Sequence, residues 1–131
     1  MKTKIAINGF GRIGRNLFRL LLNHPKIEVV AINDIADNRT MAHLIKYDSI
    51  HGVLDATCGF DEDNLIIHNK KFLFFHEKQI QNLSWRLLDI DIVVECTGKY
   101  KTFADINQHI LSGAKKVILS APSEVDEIKT V

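Results

Sequence analysis

A loop of the form G-x-G-x-x-G, Gly9-Phe10-Gly11-Arg12-Ile13-Gly14, stands between the apolar run Ile5-Ala6-Ile7-Asn8 and a segment with helical apolar spacing. Glycines at this spacing also occur in ordinary turns, so the strand before and the helix after are what constrain the fold. In that setting Gly9 permits a tight turn, Gly11 lets the backbone approach a pyrophosphate, and Gly14 allows the helix to pack closely on the sheet. The first N–H groups of the helix then face the phosphates with a partial positive charge. A second strand, Ile27-Glu28-Val29-Val30-Ala31-Ile32-Asn33, runs into Asp34. It lies about twenty residues beyond Gly14, where this fingerprint places the acid that binds a ribose diol. The spacing predicts a dinucleotide cradle in which the charge of Asp34 repels the extra phosphate of NADP, so NAD is the expected cofactor. The competing role for Asp34 is to cap the segment toward the next helix.

With 131 residues, a net charge of +1 and 46% hydrophobic residues, the sequence suits one globular domain spanning 1–131 with a real core. Bulk charge dictates no partner. The basic pairs Lys70-Lys71 and Lys115-Lys116 read as solvated edges, so nucleic acid is not expected. Met1-Lys2-Thr3-Lys4 leads directly into the first strand without a leader pattern, and no apolar stretch is long enough to span a bilayer, so the expected location is cytoplasmic, away from membranes. Cys58 and Cys96 form no C-x-x-C pair, and the six histidines show no i,i+4 pairing, which argues against a disulfide framework or a metal site. Cys96 follows Ile92-Val93-Val94-Glu95 and reads as a small buried thiol in preference to a nucleophile.

Apolar periodicity alternates between strands and helices. The first helix should place Ile13, Leu17, Leu20 and Leu21 on its inner face and stop near Asn23-His24-Pro25; a second should run from about Thr40 to Tyr47 with Met41, Leu44 and Ile45 inward. Leu65-Ile66-Ile67-His68 and Phe72-Leu73-Phe74-Phe75 flank Asn69-Lys70-Lys71 as an antiparallel hairpin inserted in the winding. Strand pattern resumes at Ile90–Glu95. A helix from about Thr102 to Leu111 follows, with Phe103, Ile106, Ile110 and Leu111 inward and Gly113 as its stop, and then the strand Lys116–Ser120. This order predicts an α/β, Rossmann-type, doubly wound and mostly parallel sheet carrying an antiparallel hairpin insertion. Its strand ends at Asn8-Gly9, Asn33-Asp34, Cys96-Thr97-Gly98 and Ser120-Ala121-Pro122 should outline one crevice.

The segments Ile7–Arg15, Ala31–Asp34, Lys46-Tyr47-Asp48-Ser49-Ile50-His51-Gly52, Glu95–Gly98 and Gly113–Pro122 together resemble phosphorylating glyceraldehyde-3-phosphate dehydrogenase, in its N-terminal cofactor half. The resemblance implies that Arg12 and Ile13 offer backbone N–H groups to the pyrophosphate, that Asp34 holds the adenosine ribose, and that Lys78 lies beside the adenine through its main chain. Thr97, Gly98 and Ser120 would border the nicotinamide ribose and ring. Lys99 departs from the apolar residue expected after Gly98. The stretches Met41–Leu44 and His76–Trp85 also resemble the sister enzyme erythrose-4-phosphate dehydrogenase, whereas Asp34 and Ser120-Ala121-Pro122-Ser123 are closer to the glyceraldehyde-phosphate enzyme.

Family chemistry oxidises an aldehyde phosphate through a cysteine thiolate, a histidine base, hydride transfer to the nicotinamide and release by inorganic phosphate. The nucleophile of the family lies in a Ser-Cys-Thr motif beyond the position of Val131, so no catalytic residue is assigned here. The resemblance implies a Rossmann unit truncated before the catalytic domain and inactive by itself, with sugar phosphate as a partner of the full-length enzyme only and a homotetramer as its assembly. A non-catalytic NAD-binding module and an interaction fragment remain alternatives.

Overall fold

Strands buried on both faces must be apolar along their whole length, and the chain supplies such runs at Ile5–Ile7, Val29–Ile32 and Ile92–Val94. The structure, a computed structural model, describes residues 2–47, 58–100 and 102–120. The expected strand end Ala121-Pro122 and the stretch Asp48–Gly52 lie outside the described residues. Within them run β1 (Thr3–Asn8), α1 (Arg12–Leu21), β2 (Ile27–Asn33), α2 (Asn38–Tyr47), β3 (Cys58–Phe60), β4 (Asn64–Ile67), β5 (Lys70–Phe75), a 3-10 turn (Ile80–Asn82), β6 (Ile92–Glu95), α3 (Phe103–Leu111) and β7 (Lys116–Leu119).

The strands form one seven-stranded sheet in the order β3-β4-β5-β2-β1-β6-β7. Strands β5, β2, β1, β6 and β7 are mutually parallel, while β3, β4 and β5 pair antiparallel. The chain winds outward from β1 to β2 and β5, then returns to the other side of β1 at β6. That reversal creates the switch point at which doubly wound sheets bind ligands. The architecture is the Rossmann-type α/β fold that the alternation of patterns predicts. The hairpin is less of an insertion than expected, because its second strand β5 docks beside β2 and extends the parallel sheet. Its turn falls on His68-Asn69, both with positive φ (51° and 65°), one residue earlier than the sequence suggested. Two successive left-handed residues match the twist of a two-residue hairpin loop.

Alternate side chains of β1 divide the core between the two faces of the sheet. Ile5 and Ile7 join Phe10, Phe18, Met41 and Ile45 under α1 and α2. Ala6 faces the other way, with Trp85, Ile90, Val93 and Ala114. The inner faces of two helices differ from expectation. In α1, Gly14 and Phe18 are buried and Leu17 and Leu21 pack on the core, while Ile13 (56%) and Leu20 (74%) are exposed. At 3.6 residues per turn, Gly14, Leu17, Phe18 and Leu21 share one arc and carry Ile13 and Leu20 past its edge. In α3, Ile106 is inward as expected, but Phe103, Ile110 and Leu111 are exposed and His109 takes the second buried position. A polar residue holds that place because it has partners there, as described below.

Candidate functional site

The C-terminal ends of β1, β2 and β6 open into a cleft of about 450 Å³. It is lined by Asn8, Gly9, Gly11, Asn33, Asp34 and Thr97, together with Lys78, Lys99 and Tyr100. The glycine loop forms one wall. Gly9 has φ +97°, and a Cβ there would lie 2.7 Å from the Thr97 nitrogen, so the β1–α1 loop passes closer to the β6 end than any other residue allows. A Cβ on Gly14 would collide with the Gly9 carbonyl oxygen, which explains the third glycine as a close approach of helix to loop. Among the described residues, a Cβ on Gly11 would meet nothing within 4 Å, and Gly11 lines the cleft.

Gly11 is the N-cap of α1 and offers no side-chain cap, the first turn carries no acid, and the first intrahelical bond runs from the Arg15 N–H to the Gly11 carbonyl. The N–H groups ahead of Arg15 are therefore the orphan donors of a helix start, with a partial positive charge behind them. Arg12 and Ile13 occupy this first turn and are exposed.

Asp34, directly after β2, lines the cleft against this same wall. Its Oδ2 accepts the Phe10 N–H at 2.7 Å, and its Oδ1 accepts the Ala36 N–H at 3.0 Å. Local turn formation and loop anchoring thus share one carboxylate. A carboxylate has about four acceptor positions, so two remain for hydroxyl donors. Capping of α2 falls to another acid: Asp37 Oδ1 accepts the Thr40 N–H at 2.7 Å.

The floor is polar and buried. Asn8 Nδ2 donates to Glu95 Oε1 at 2.6 Å, and Asn33 Nδ2 donates to Asn8 Oδ1 at 2.8 Å and to the Glu77 carbonyl at 3.0 Å. Asn33 Oδ1 in turn accepts the Glu77 N–H at 2.9 Å. Both amide hydrogens of Asn33 are thereby committed to protein acceptors. Thr97 donates its N–H (2.9 Å) and its hydroxyl (2.6 Å) to Glu95 Oε2. The Tyr100 hydroxyl donates to the Lys78 carbonyl at 3.0 Å, joining the loop after β6 to the loop after β5.

Of the residues expected at the site, the cleft brings together Asn8, Gly9, Gly11, Asn33, Asp34, Lys78 and Thr97. Arg12, Ile13, Gly14, Gly98 and Ser120 are not part of its lining. Gly14 is buried beneath the loop, Gly98 follows Thr97 on the exposed turn, and Ser120 donates its N–H and hydroxyl to the Glu95 carbonyl at 3.1 and 2.9 Å. Ile35, Glu77, Ile80 and Tyr100, which no sequence motif marks, join Cys96 and Lys99 in completing the lining. An exposed apolar residue directly after Asp34 and an aromatic two residues after Gly98 were readable signals for Ile35 and Tyr100. Cys96 also lines the cleft; burial pushes its thiol from 9.0 up to about 11, with the Glu95 charge adding to the rise, so it is a neutral thiol near pH 7.

Against known proteins, residues 3–103 match the family described as "Glyceraldehyde 3-phosphate dehydrogenase, NAD binding domain". The chain belongs to that family. NAD is the cofactor that membership assigns. Curated relatives include glyceraldehyde-3-phosphate dehydrogenase of Geobacillus stearothermophilus, 49% identical over all of this chain and 39% of its own length. Glyceraldehyde-3-phosphate dehydrogenase 2 of Bacillus subtilis is 50% identical over 100% of this chain and 38% of its own. The Mycoplasma pneumoniae enzyme is 48% identical over 98% and 38%. The chain therefore spans under two-fifths of the length of these relatives. Among the described residues, no helix is long and apolar enough to cross a membrane.

Proposed function

We propose that this chain is the NAD-binding portion of a phosphorylating glyceraldehyde-3-phosphate dehydrogenase, a cytoplasmic enzyme of glucose breakdown that works as a homotetramer. The observation that carries the reading is the convergence of an open Gly11 backbone, the uncapped start of α1 and the Asp34 carboxylate on one cleft. In it, Arg12, Ile13 and Gly14 turn their N–H groups toward the pyrophosphate. Asp34 accepts the adenosine ribose hydroxyls with the acceptor positions left free by Phe10 and Ala36. Lys78 flanks the adenine, and Thr97, Gly98 and Ser120 border the nicotinamide side. Asn8 and Asn33 form the floor on which the dinucleotide rests, their amides bonded to each other and to Glu95 and Glu77.

NAD, when held by the Gly9–Gly14 loop and Asp34, would supply a hydride acceptor for aldehyde oxidation. This chain's residues orient the dinucleotide and supply no nucleophile: Cys96 is held neutral by burial, and Cys58 is likewise raised by desolvation. The sugar phosphate and inorganic phosphate are recognised by the rest of the enzyme.

Competition between the two dinucleotides tests the proposal. The chain should bind NAD well above NADP, and Asp34→Ala should narrow that preference by weakening NAD. NADP outcompeting NAD on the unmodified chain would refute it.

A further inference from the structure

Behind the cleft floor lies a line of three side chains, Trp85, Glu95 and His109, that are not part of its lining. Glu95 and His109 are both 0% exposed, and His109 Nε2 lies 2.9 Å from Glu95 Oε1. On its other side, His109 Nδ1 receives the indole N–H of Trp85 at 3.0 Å. An indole nitrogen is only ever a donor. Nδ1 must therefore present its lone pair, which leaves the ring hydrogen on Nε2, aimed at Glu95.

The Glu95 carboxylate then gathers four donors: His109 Nε2–H and the Asn8 amide on one oxygen, and the Thr97 N–H and hydroxyl on the other. An ionised carboxylate offers about four acceptor positions, and all four are filled. The line continues from Asn8 through Asn33 to the backbone of Glu77. It thus crosses the ends of β6, β1 and β2 and reaches the loop after β5. A buried charge of this kind tolerates no missing donor, because each gap leaves an unsolvated acceptor in a low-dielectric site.

We infer that Trp85, His109 and Glu95 are positioning residues for the dinucleotide cleft: the indole fixes the histidine tautomer, the histidine completes the donor set of the carboxylate, and the carboxylate holds Asn8 at the floor and Thr97 at the rim. The inference rests on the reading of the cleft as the NAD site. It extends the site to residues on α3 and on the segment before β6, neither of which lines the cleft.

The test measures NAD affinity of the full chain by calorimetric titration in four forms, unmodified, Trp85→Phe, His109→Leu and His109→Gln, with circular dichroism to establish folding. His109→Leu keeps the volume and deletes both hydrogen bonds; the NAD dissociation constant should rise about tenfold, the worth of one hydrogen bond to a charged group. His109→Gln restores an N–H toward Glu95 and should recover most of that loss. Trp85→Phe keeps an aromatic ring but frees the tautomer, and should weaken NAD by about threefold, a part of that same bond. A folded His109→Leu chain with unchanged affinity overturns the inference. So does equal weakening by His109→Leu and His109→Gln, which would mark a packing effect. Should His109→Leu not fold, unchanged affinity in Trp85→Phe has the same force. Failure of the unmodified chain to bind NAD would instead overturn the functional proposal itself.

Discussion

Substituting the first and second glycines of the loop separates architecture from ligand contact. Gly9→Ala forces a residue with a Cβ to φ +97° and drives that carbon to 2.7 Å from the Thr97 nitrogen, 2.8 Å from its methyl and 2.9 Å from the Cys96 carbonyl carbon. The left-handed backbone costs about 1–2 kcal/mol. Overpacking against backbone adds about 1–3 kcal/mol. Lower entropy of the unfolded chain returns about 0.4–1 kcal/mol. The net loss should be about 1–5 kcal/mol, a large part of a small domain's stability. Gly11→Ala meets no atom within 4 Å and keeps an ordinary φ of −74°. Its loss of an N-cap glycine and its gain from the unfolded state nearly offset, leaving stability within about 1 kcal/mol. On the proposed reading of the cleft, the new methyl nevertheless stands where the pyrophosphate approaches. Urea unfolding followed by Trp85 emission and circular dichroism should show a lower midpoint for Gly9→Ala alone, at constant slope. Titration should show NAD affinity lost in Gly11→Ala. A Gly9→Ala chain within about 0.5 kcal/mol of the parent, the range of neutral surface changes, would refute the packing argument.

Other outcomes follow from individual groups. In a Cys58→Ser background, Cys96 should react with iodoacetamide at pH 8 about a hundredfold more slowly than the unfolded chain, because its thiol is raised from 9.0 to about 11; equal rates would contradict its burial. Asp91 accepts the Lys4 N–H and the Lys115 ammonium, each at 2.9 Å, and these hold its carboxyl below the ordinary 3.8. A depressed carboxyl contributes stability that is present above its unfolded pKa and lost as pH falls through the folded one. The stability gap between the parent and Asp91→Asn should therefore close below pH 3.8, and a gap that persists in stronger acid would sink this assignment. Tyr100→Phe should leave folding unchanged but release the loop after β6 from the Lys78 carbonyl; hydrogen exchange at Gly98–Tyr100 that fails to accelerate would contradict that link.

Much of this site was legible because its signals are local. The loop Gly9–Gly14 and Asp34 belong to one strand-helix-strand unit, and glycine spacing, helix periodicity and strand length all act within it. The hairpin was legible from two apolar runs around Asn69. The features that local pattern does not encode depend on partners far along the chain. His109 turns inward because Trp85 and Glu95, 24 and 14 residues away, satisfy it, and this rotates α3 so that Phe103 and Leu111 face outward. Periodicity assigns faces by hydrophobicity and cannot see a paired imidazole. Strand β3 has only three residues, too few for alternation to register. Glu77 and Ile80 reach the cleft only because β5 lies beside β2, a neighbour relation set by the sheet order.

The most direct test of the account is a map of backbone amide shifts as NAD is added to the isotopically labelled chain. The largest changes should fall on Gly11–Gly14, on Asp34 and Ile35, and on Thr97–Tyr100, with Phe60–Glu62 at the far edge of the sheet unmoved. Shifts centred on Phe60–Glu62, or none around Gly11 at saturating NAD, would contradict it.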